Sequence, residues 1–270
     1  MAKPKKIPCA LTIAGLDPGG GAGIAADLRA FSAAGVFGCA VVALLTVQST
    51  SGLLETRPVE SRFIISQAAE VVRNQRVRAI KTGALGSVGN VRALGAWLAE
   101  HQDIPVIVDP VLYPSAGTGR LLVLRAVRAL CDVLLPRAWL VTANVPEAET
   151  LLRRRIASVK DAGEAARELV TLGARAALVK GGHLTGTLAV DVLALGGSVI
   201  ELAGQRRRLP PMHGGGCALA SLIAGRLARR EGGTFEARLL EAVRWARSVH
   251  QKALRSPRDV GGNRRVLIFR

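Results

Sequence analysis

Met212-His213-Gly214-Gly215-Gly216-Cys217-Ala218-Leu219-Ala220 sets three consecutive glycines directly before an apolar repeat. Glycine has no side chain to pack, and it reaches left-handed φ/ψ values that other residues avoid. Behind the glycines, Leu219, Leu222, Ile223 and Leu227 recur at helical spacing and form one apolar face. Arg226, Arg229 and Arg230 crowd the last turn, where cations suit the helix dipole, and Gly232-Gly233 can end the helix. A glycine loop that feeds a helix start aims several unpaired N–H groups at one point, which makes an anion site. Cys217 falls in the first turn, where a thiol pKa drops most easily.

On either side of this stretch, short apolar runs alternate with longer helical patterns. Strands are predicted at Cys9–Ala14, Ala40–Leu45, Val77–Thr82, Pro105–Val108, Trp139–Thr142 and Arg175–Val179. Helices are predicted at Ile24–Ala34, Phe63–Arg73, Val88–Glu100, Leu121–Val133, Pro146–Arg154, Val159–Leu172 and Phe235–Leu254. Leu188–Leu195 and Ser198–Glu201 read as a hairpin around Gly196-Gly197, and Val266–Phe269 as a last edge strand. Such alternation predicts an α/β fold: a mostly parallel central sheet with helices on both faces. Ligands in such folds sit beyond the carboxyl ends of the strands. With no internal repeat and no linker, the chain divides into a basic extension over 1–8 and one domain over 9–270.

Composition narrows the function. With 270 residues and aromatics at 3%, the core must be built from Leu, Val, Ile and Ala. No apolar run reaches membrane-spanning length. The start, Met1-Ala2-Lys3-Pro4-Lys5-Lys6, is basic but does not read as a signal peptide. Four widely spaced cysteines make no metal pattern and suggest a reduced, cytoplasmic protein. The net charge of +17 is scattered, with no aromatic stacking platform among the basic residues. It favours polyanionic small molecules over nucleic acid.

Further loops at strand ends carry candidate chemistry. Gly15-Leu16-Asp17-Pro18-Gly19-Gly20-Gly21-Ala22-Gly23 fits neither the dinucleotide fingerprint nor the P-loop. It suits close backbone approach to a small flat ligand, and Asp27 in the next helix could bond a polar ligand edge. A solvated acid favoured by the helix dipole is the other reading of Asp27. Asp109 ends a strand and faces the ligand crevice, near metal or phosphate, unless it only shapes the turn. Asn144 and Glu147 either cap the next helix or hold the waters of a Mg²⁺, which prefers oxygen ligands. Lys180, beside Gly181-Gly182, can reach a phosphate.

The segment from Ala10 to Leu28, ALTIAGLDPGGGAGIAADL, closely resembles the opening of the hydroxymethylpyrimidine and phosphomethylpyrimidine kinases of thiamine biosynthesis, members of the ribokinase-like superfamily. So do Leu45–Thr50, Lys81–Leu85, Asp109–Leu112, Asn144–Ala148, Lys180–His183 and His213–Cys217, in the family's order. The resemblance implies a three-layer ribokinase-like sandwich and transfer of the γ-phosphoryl of ATP, with Mg²⁺, to a primary hydroxyl or to a phosphate already there. It implies that Gln48 bonds the aminopyrimidine edge, with Gly15 and Asp27 in the substrate pocket. Ala84 would stand where a methionine commonly packs on the pyrimidine. Lys180, Asp109 and His213 would lie by the ATP phosphates, and Asn144 and Glu147 by the metal. Gly214, Gly215 and Gly216 would form the anion hole, with Cys217 as proton acceptor. A homodimer is expected from the resemblance alone.

The sequence departs from the family's pattern at several points. Gly215 and Ala218 stand where threonines are usual, the lysine of a Lys-Ser-Gly near Tyr113–Gly119 is absent, and Thr142-Ala143-Asn144 lacks the usual proline. These changes cluster on the phosphate side. Two alternatives therefore stand beside the pyrimidine kinase: a pyridoxal kinase of the same fold, and a catalytically weak pyrimidine or nucleotide sensor.

Overall fold

A computed structural model of the protein describes residues 7–114, 121, 122 and 124–269. Among these, the central sheet has nine strands: β1 Cys9–Leu16, β2 Phe37–Ser49, β3 Gly52–Pro58, β4 Val77–Thr82, β5 Val106–Val108, β6 Leu140–Asn144, β7 Ala176–Lys180, β8 Leu188–Leu195 and β9 Ser198–Gln205. Their spatial order is β3-β2-β1-β4-β5-β6-β7-β8-β9. Every pair from β2 to β7 is parallel, and antiparallel strands flank them on both sides.

Helices cover both faces, so the central strands are apolar throughout rather than alternating. Helices α2 (Ser61–Asn74), α3 (Val88–Ala99), α5 (Val145–Leu152) and α6 (Val159–Thr171) pack Ile64, Leu94, Ala148 and Leu169 against Leu11, Ile13, Ile80 and Val141. Helices α1 (Gly23–Ala33), α7 (Gly215–Arg229) and α8 (Phe235–Ala253) pack Phe31, Leu222 and Leu239 against Ala10, Ala79, Leu140 and Leu178. The three-layer sandwich expected from the sequence is the architecture found. The chain runs from β1 outward to β2 and β3, then returns to place β4 on the other side of β1. That reversal leaves a crevice at the carboxyl ends of β1 and β4, the usual ligand position in an open α/β sheet.

Several expected boundaries change. Strand β2 is longer than Ala40–Leu45, and its antiparallel partner β3, a segment not read as a strand, pairs Gln48 with Leu53. The predicted Leu121–Val133 helix contains α4 (Leu124–Ala129), followed by a π turn at Leu130–Leu134 and a 3₁₀ turn at Leu135–Arg137. Pro136 has no N–H to continue the helical ladder. The tail is not an edge strand of the main sheet. Its β11 (Arg265–Val266) pairs in parallel with β10 (Met212–His213), just ahead of the triple glycine. Residues 115–120, where the sequence lacks the expected lysine, and most of the 1–8 extension lie outside the described residues.

Candidate functional site

Five strand ends of the parallel part of the sheet bring Gly15 (β1), Gln48 (β2), Asp109 (after β5), Asn144 (β6) and Lys180 (β7) to one edge of the sheet. The triple glycine enters from α7. Three cavities adjoin there. A cleft of about 440 Å³ is lined by Lys180, Arg206, Gly215, Gly216, Arg247 and His250, among others. A second, of about 520 Å³, is lined by Asp109, Glu147, Lys180, Gly214, Cys217 and Arg264, and also by Gly215 and Gly216. A third, about 40 Å³, is lined by Gly15, Asp17, Thr46, Gln48, Tyr113 and Cys217. Lys180, Gly215 and Gly216 belong to the first and second; Val111, Tyr113 and Cys217 belong to the second and third. The small pocket thus opens past Cys217 into the 520 Å³ cleft.

The three glycines serve different ends. Gly214 takes φ +76°, and a Cβ on it would lie 2.1 Å from the Gly21 carbonyl oxygen. The two glycine-rich loops therefore meet backbone to backbone. A Cβ on Gly216 would sit 3.2 Å from the Lys180 ammonium. At Gly215 nothing would lie closer than His250 Nε2, at 3.8 Å. The first intrahelical bond of α7 is Ala218 N–H to the Gly214 carbonyl (3.0 Å), so the amides of 215–217 have no acceptor within the helix. Gly215 and Gly216 stand between the 440 Å³ cleft and the 520 Å³ one and line both.

Lys180 Nζ lies 3.1 Å from Asp109 Oδ1 and 3.9 Å from Glu147 Oε2. Burial alone would raise the Asp109 pKa; Lys180, then Lys81 and the Thr142 hydroxyl, hold it below the ordinary value. Glu147 is pushed up to about 7 by burial and by the charge of Asp109, against the pull of Lys180. Asn144 and Glu147 form a reciprocal capping box at the start of α5: Glu147 N–H to Asn144 Oδ1 and Asn144 N–H to Glu147 Oε2, both 2.9 Å. Of the two roles the sequence offered these residues, capping is seen directly. Among the described residues no group of three His, Cys, Asp or Glu side chains could enclose a metal. The donor set fits Mg²⁺ only through its waters, which this ion retains readily.

Cys217 departs from expectation. Burial pushes its thiol up to about 12; Lys81 pulls it down, Asp109 and Asp27 push it up, and a Gly23 N–H stabilises the thiolate. The helix start is outweighed, and ligand-free Cys217 is a thiol at neutral pH.

Three other positions need correction. Asp27 is neither solvated nor ligand-facing. It is fully buried and accepts hydrogen bonds from Thr12 (2.6 Å), Ser221 (2.7 Å) and Lys81 (2.9 and 3.1 Å). His213 is also buried, its Nε2 2.8 Å from Asp17 Oδ2, so it cannot reach a phosphate. Asp17 also accepts from the Gly19 and Ala22 amides at 2.9 Å, which holds the first loop in shape. Ala84 lies behind Gly15, packed with Leu44 and Leu121, and does not line the pocket. Asp17, Tyr113 and Arg264 line the site and were not singled out from the sequence. Asp17 sat in a quoted loop, but Arg264 had no signal, because the pairing of β10 with β11 brings it there.

Among the described residues no helix is long and apolar enough to cross a membrane. The sequence model of one family, phosphomethylpyrimidine kinase, matches residues 17–267. A hydroxymethylpyrimidine/phosphomethylpyrimidine kinase of Rhizobium meliloti is 39% identical over 223 residues, covering 82% of each chain. A thiamine biosynthesis bifunctional protein, ThiED, of Geobacter sulfurreducens is 38% identical over 251 residues, 93% of this chain; the chain spans 50% of that protein's length. A phosphomethylpyrimidine kinase from Clostridium difficile 630 superposes with a TM-score of 0.78 at 32% identity, over 91% of this chain and 99% of that one. An ADP complex of Bacillus subtilis pyridoxal kinase superposes at 0.86 with 28% identity, over 98% of both chains. The chain, a phosphotransferase with a ribokinase-like sandwich, belongs to the phosphomethylpyrimidine kinase family.

Proposed function

We propose that the protein transfers the γ-phosphoryl group of ATP to the hydroxymethyl group of 4-amino-5-hydroxymethyl-2-methylpyrimidine, and then to the resulting monophosphate, in thiamine biosynthesis. The observation that carries this reading is the adjacency of the three cavities. Nucleoside, phosphates and pyrimidine would lie in the order of phosphoryl transfer, with Lys180 and the 214–217 turn at one junction and Cys217 at the other. Phosphoryl transfer needs positioning and charge stabilisation above all, and both are available here.

Gln48 and Gly15 bind the aminopyrimidine edge. Lys180, the amides of 215–217 and the arginines around the nucleotide cleft bind phosphates. Asp109, Glu147 and Asn144 would hold a Mg²⁺ through its waters, and the ion would supply neutralising charge to the phosphate oxygens. Cys217 stands where the hydroxyl oxygen would enter and receives its proton when ionised. A homodimer and a cytoplasmic location follow from the same reading. ADP release measured with the hydroxymethylpyrimidine, its monophosphate and pyridoxal tests it. Turnover of the two pyrimidines well above pyridoxal is expected. Preference for pyridoxal, or ligand binding without any turnover, contradicts it.

A further inference from the structure

The C-terminal segment closes over the site as a small hairpin. Arg258 and Val266 exchange backbone hydrogen bonds of 2.9 and 3.0 Å, and Arg265 pairs with Asp259. Asp259 also accepts from the Gly261 amide at 2.9 Å. The Thr50 hydroxyl, two residues beyond Gln48, donates to the Gly261 carbonyl at 2.7 Å. On the other side, Arg265 N–H reaches the Pro211 carbonyl at 2.9 Å, and β11 lies against β10. The hairpin therefore ties the β2 end that carries Gln48 to the triple-glycine turn, with Arg264 directly before its paired strand β11.

Arg264 lines the cleft of Asp109, Glu147, Lys180 and Cys217, but not the nucleotide cleft beyond Gly215 and Gly216. Among the described residues its guanidinium makes one hydrogen bond, a long one of 3.4 Å to the Met212 carbonyl. Among the described residues it has no carboxylate partner, whereas Arg247 is paired with Asp191, Arg226 with Glu241 and Arg154 with Glu164. Lys180 is already balanced by Asp109, and Glu147 adds negative charge whenever it ionises. A cleft that must bring two phosphate groups together needs a further cation on the acceptor side. A guanidinium held beside the braced strand of a hairpin suits a phosphate in fork geometry.

We infer that Arg264 binds the phosphate of the monophosphorylated substrate and sets it in line for the second transfer. The inference rests on the kinase reading above. In that step an ionised oxygen of the acceptor phosphate bonds to the γ-phosphorus. The bond from the γ-phosphorus to the bridging oxygen breaks, and ADP leaves with the electron pair; no proton needs to be removed. Arg264 is a substrate-binding residue for this second step and is dispensable for the first.

The test compares wild type with Arg264→Gln and Arg264→Lys, at saturating ATP, on both pyrimidines. Calorimetric titration with the monophosphate alone runs in parallel. For Arg264→Gln, KM and Kd for the monophosphate should rise about tenfold to a hundredfold, the range for one lost charge-assisted contact. KM for the unphosphorylated alcohol should stay within about twofold, and Arg264→Lys should recover most of the loss, since it keeps the charge. Equal losses on both substrates, unchanged monophosphate binding, or no monophosphate binding by the wild type would each overturn the assignment. A wild type that binds the monophosphate through Arg264 yet turns over neither pyrimidine would instead defeat the kinase reading and leave the binding role standing.

Discussion

Two aspartate–lysine pairs sit near the same sheet edge and do different work. Asp27 and Lys81 are both wholly inaccessible, and Asp27 takes four hydrogen bonds, from Lys81 twice, Thr12 and Ser221. Nothing is left over for a ligand. Asp109 and Lys180 share a single 3.1 Å contact, Lys180 is 12% exposed, and both line the 520 Å³ cleft. Lys81 ties β4 to α1, and through Asp27 to α7 by way of Ser221. Lys180 remains free to exchange its carboxylate for a phosphate. The same two residue types thus make a structural post in one place and, in the function proposed here, a phosphate anchor in the other; Asp27 takes four hydrogen bonds, Asp109 two, from Lys180 and Thr142.

The comparison can be broken by substitution. Lys81→Met leaves a buried carboxylate unpaired and should lower stability by about 3–5 kcal/mol in urea denaturation. A stable variant with a purely catalytic defect would reverse the roles assigned to the pairs. Lys180→Ala should act mainly on catalysis: kcat/KM falling about 10²–10³-fold, as for loss of one preorganised charge donor, with a smaller loss of stability than Lys81→Met, because Asp109 opens to the cleft and keeps the Thr142 hydroxyl. Near-normal turnover would remove Lys180 from the phosphate site.

Cys217→Ala should cut kcat on the hydroxymethyl substrate about 10²-fold. The monophosphate, whose attacking oxygen carries no proton, should lose much less. Because the thiol is held near 12, kcat on the alcohol should rise about tenfold per pH unit from pH 7 to 9 while the thiolate fraction grows. A flat profile would assign the proton elsewhere. Gln48→Ala should raise KM for the pyrimidine about tenfold, roughly one hydrogen bond, without affecting ATP binding. The smallest effect concerns the glycines. Gly215→Ala should stabilise the protein by about 0.5–1 kcal/mol, because Gly215 opens α7 with room for a Cβ. Gly214→Ala, at φ +76° against the Gly21 carbonyl, should destabilise it; equal effects of the two would refute the distinction.

The sheet-and-helix alternation was legible because each buried strand and amphipathic helix carries its own periodicity. Strand β3 was not, since its exposed residues become a strand only by pairing with the far end of β2. The tail was read as a strand but assigned to the wrong sheet, because β10 and β11 are two residues each and their pairing is purely tertiary. Glycine-rich loops and the acids and amides at strand ends were legible as candidates, and the fold brings most of them to one crevice. Asp27 and His213 were misjudged for one reason: their partners, Lys81 and Asp17, are 54 and 196 residues away. Cys217 shows the limit of a local argument. A helix start lowers a thiol pKa only where solvent or cations offset burial, and here burial wins.

The central claim is that pyrimidine, Cys217 and the triple-glycine turn meet in one continuous crevice. A crystal structure with the aminopyrimidine alcohol and a non-hydrolysable ATP analogue tests this directly. The account predicts the pyrimidine edge on Gln48, its hydroxyl beside Cys217 and the terminal phosphate between Lys180 and the amides of 215–217. A pyrimidine bound away from Gln48, or a terminal phosphate out of reach of its hydroxyl, would contradict it.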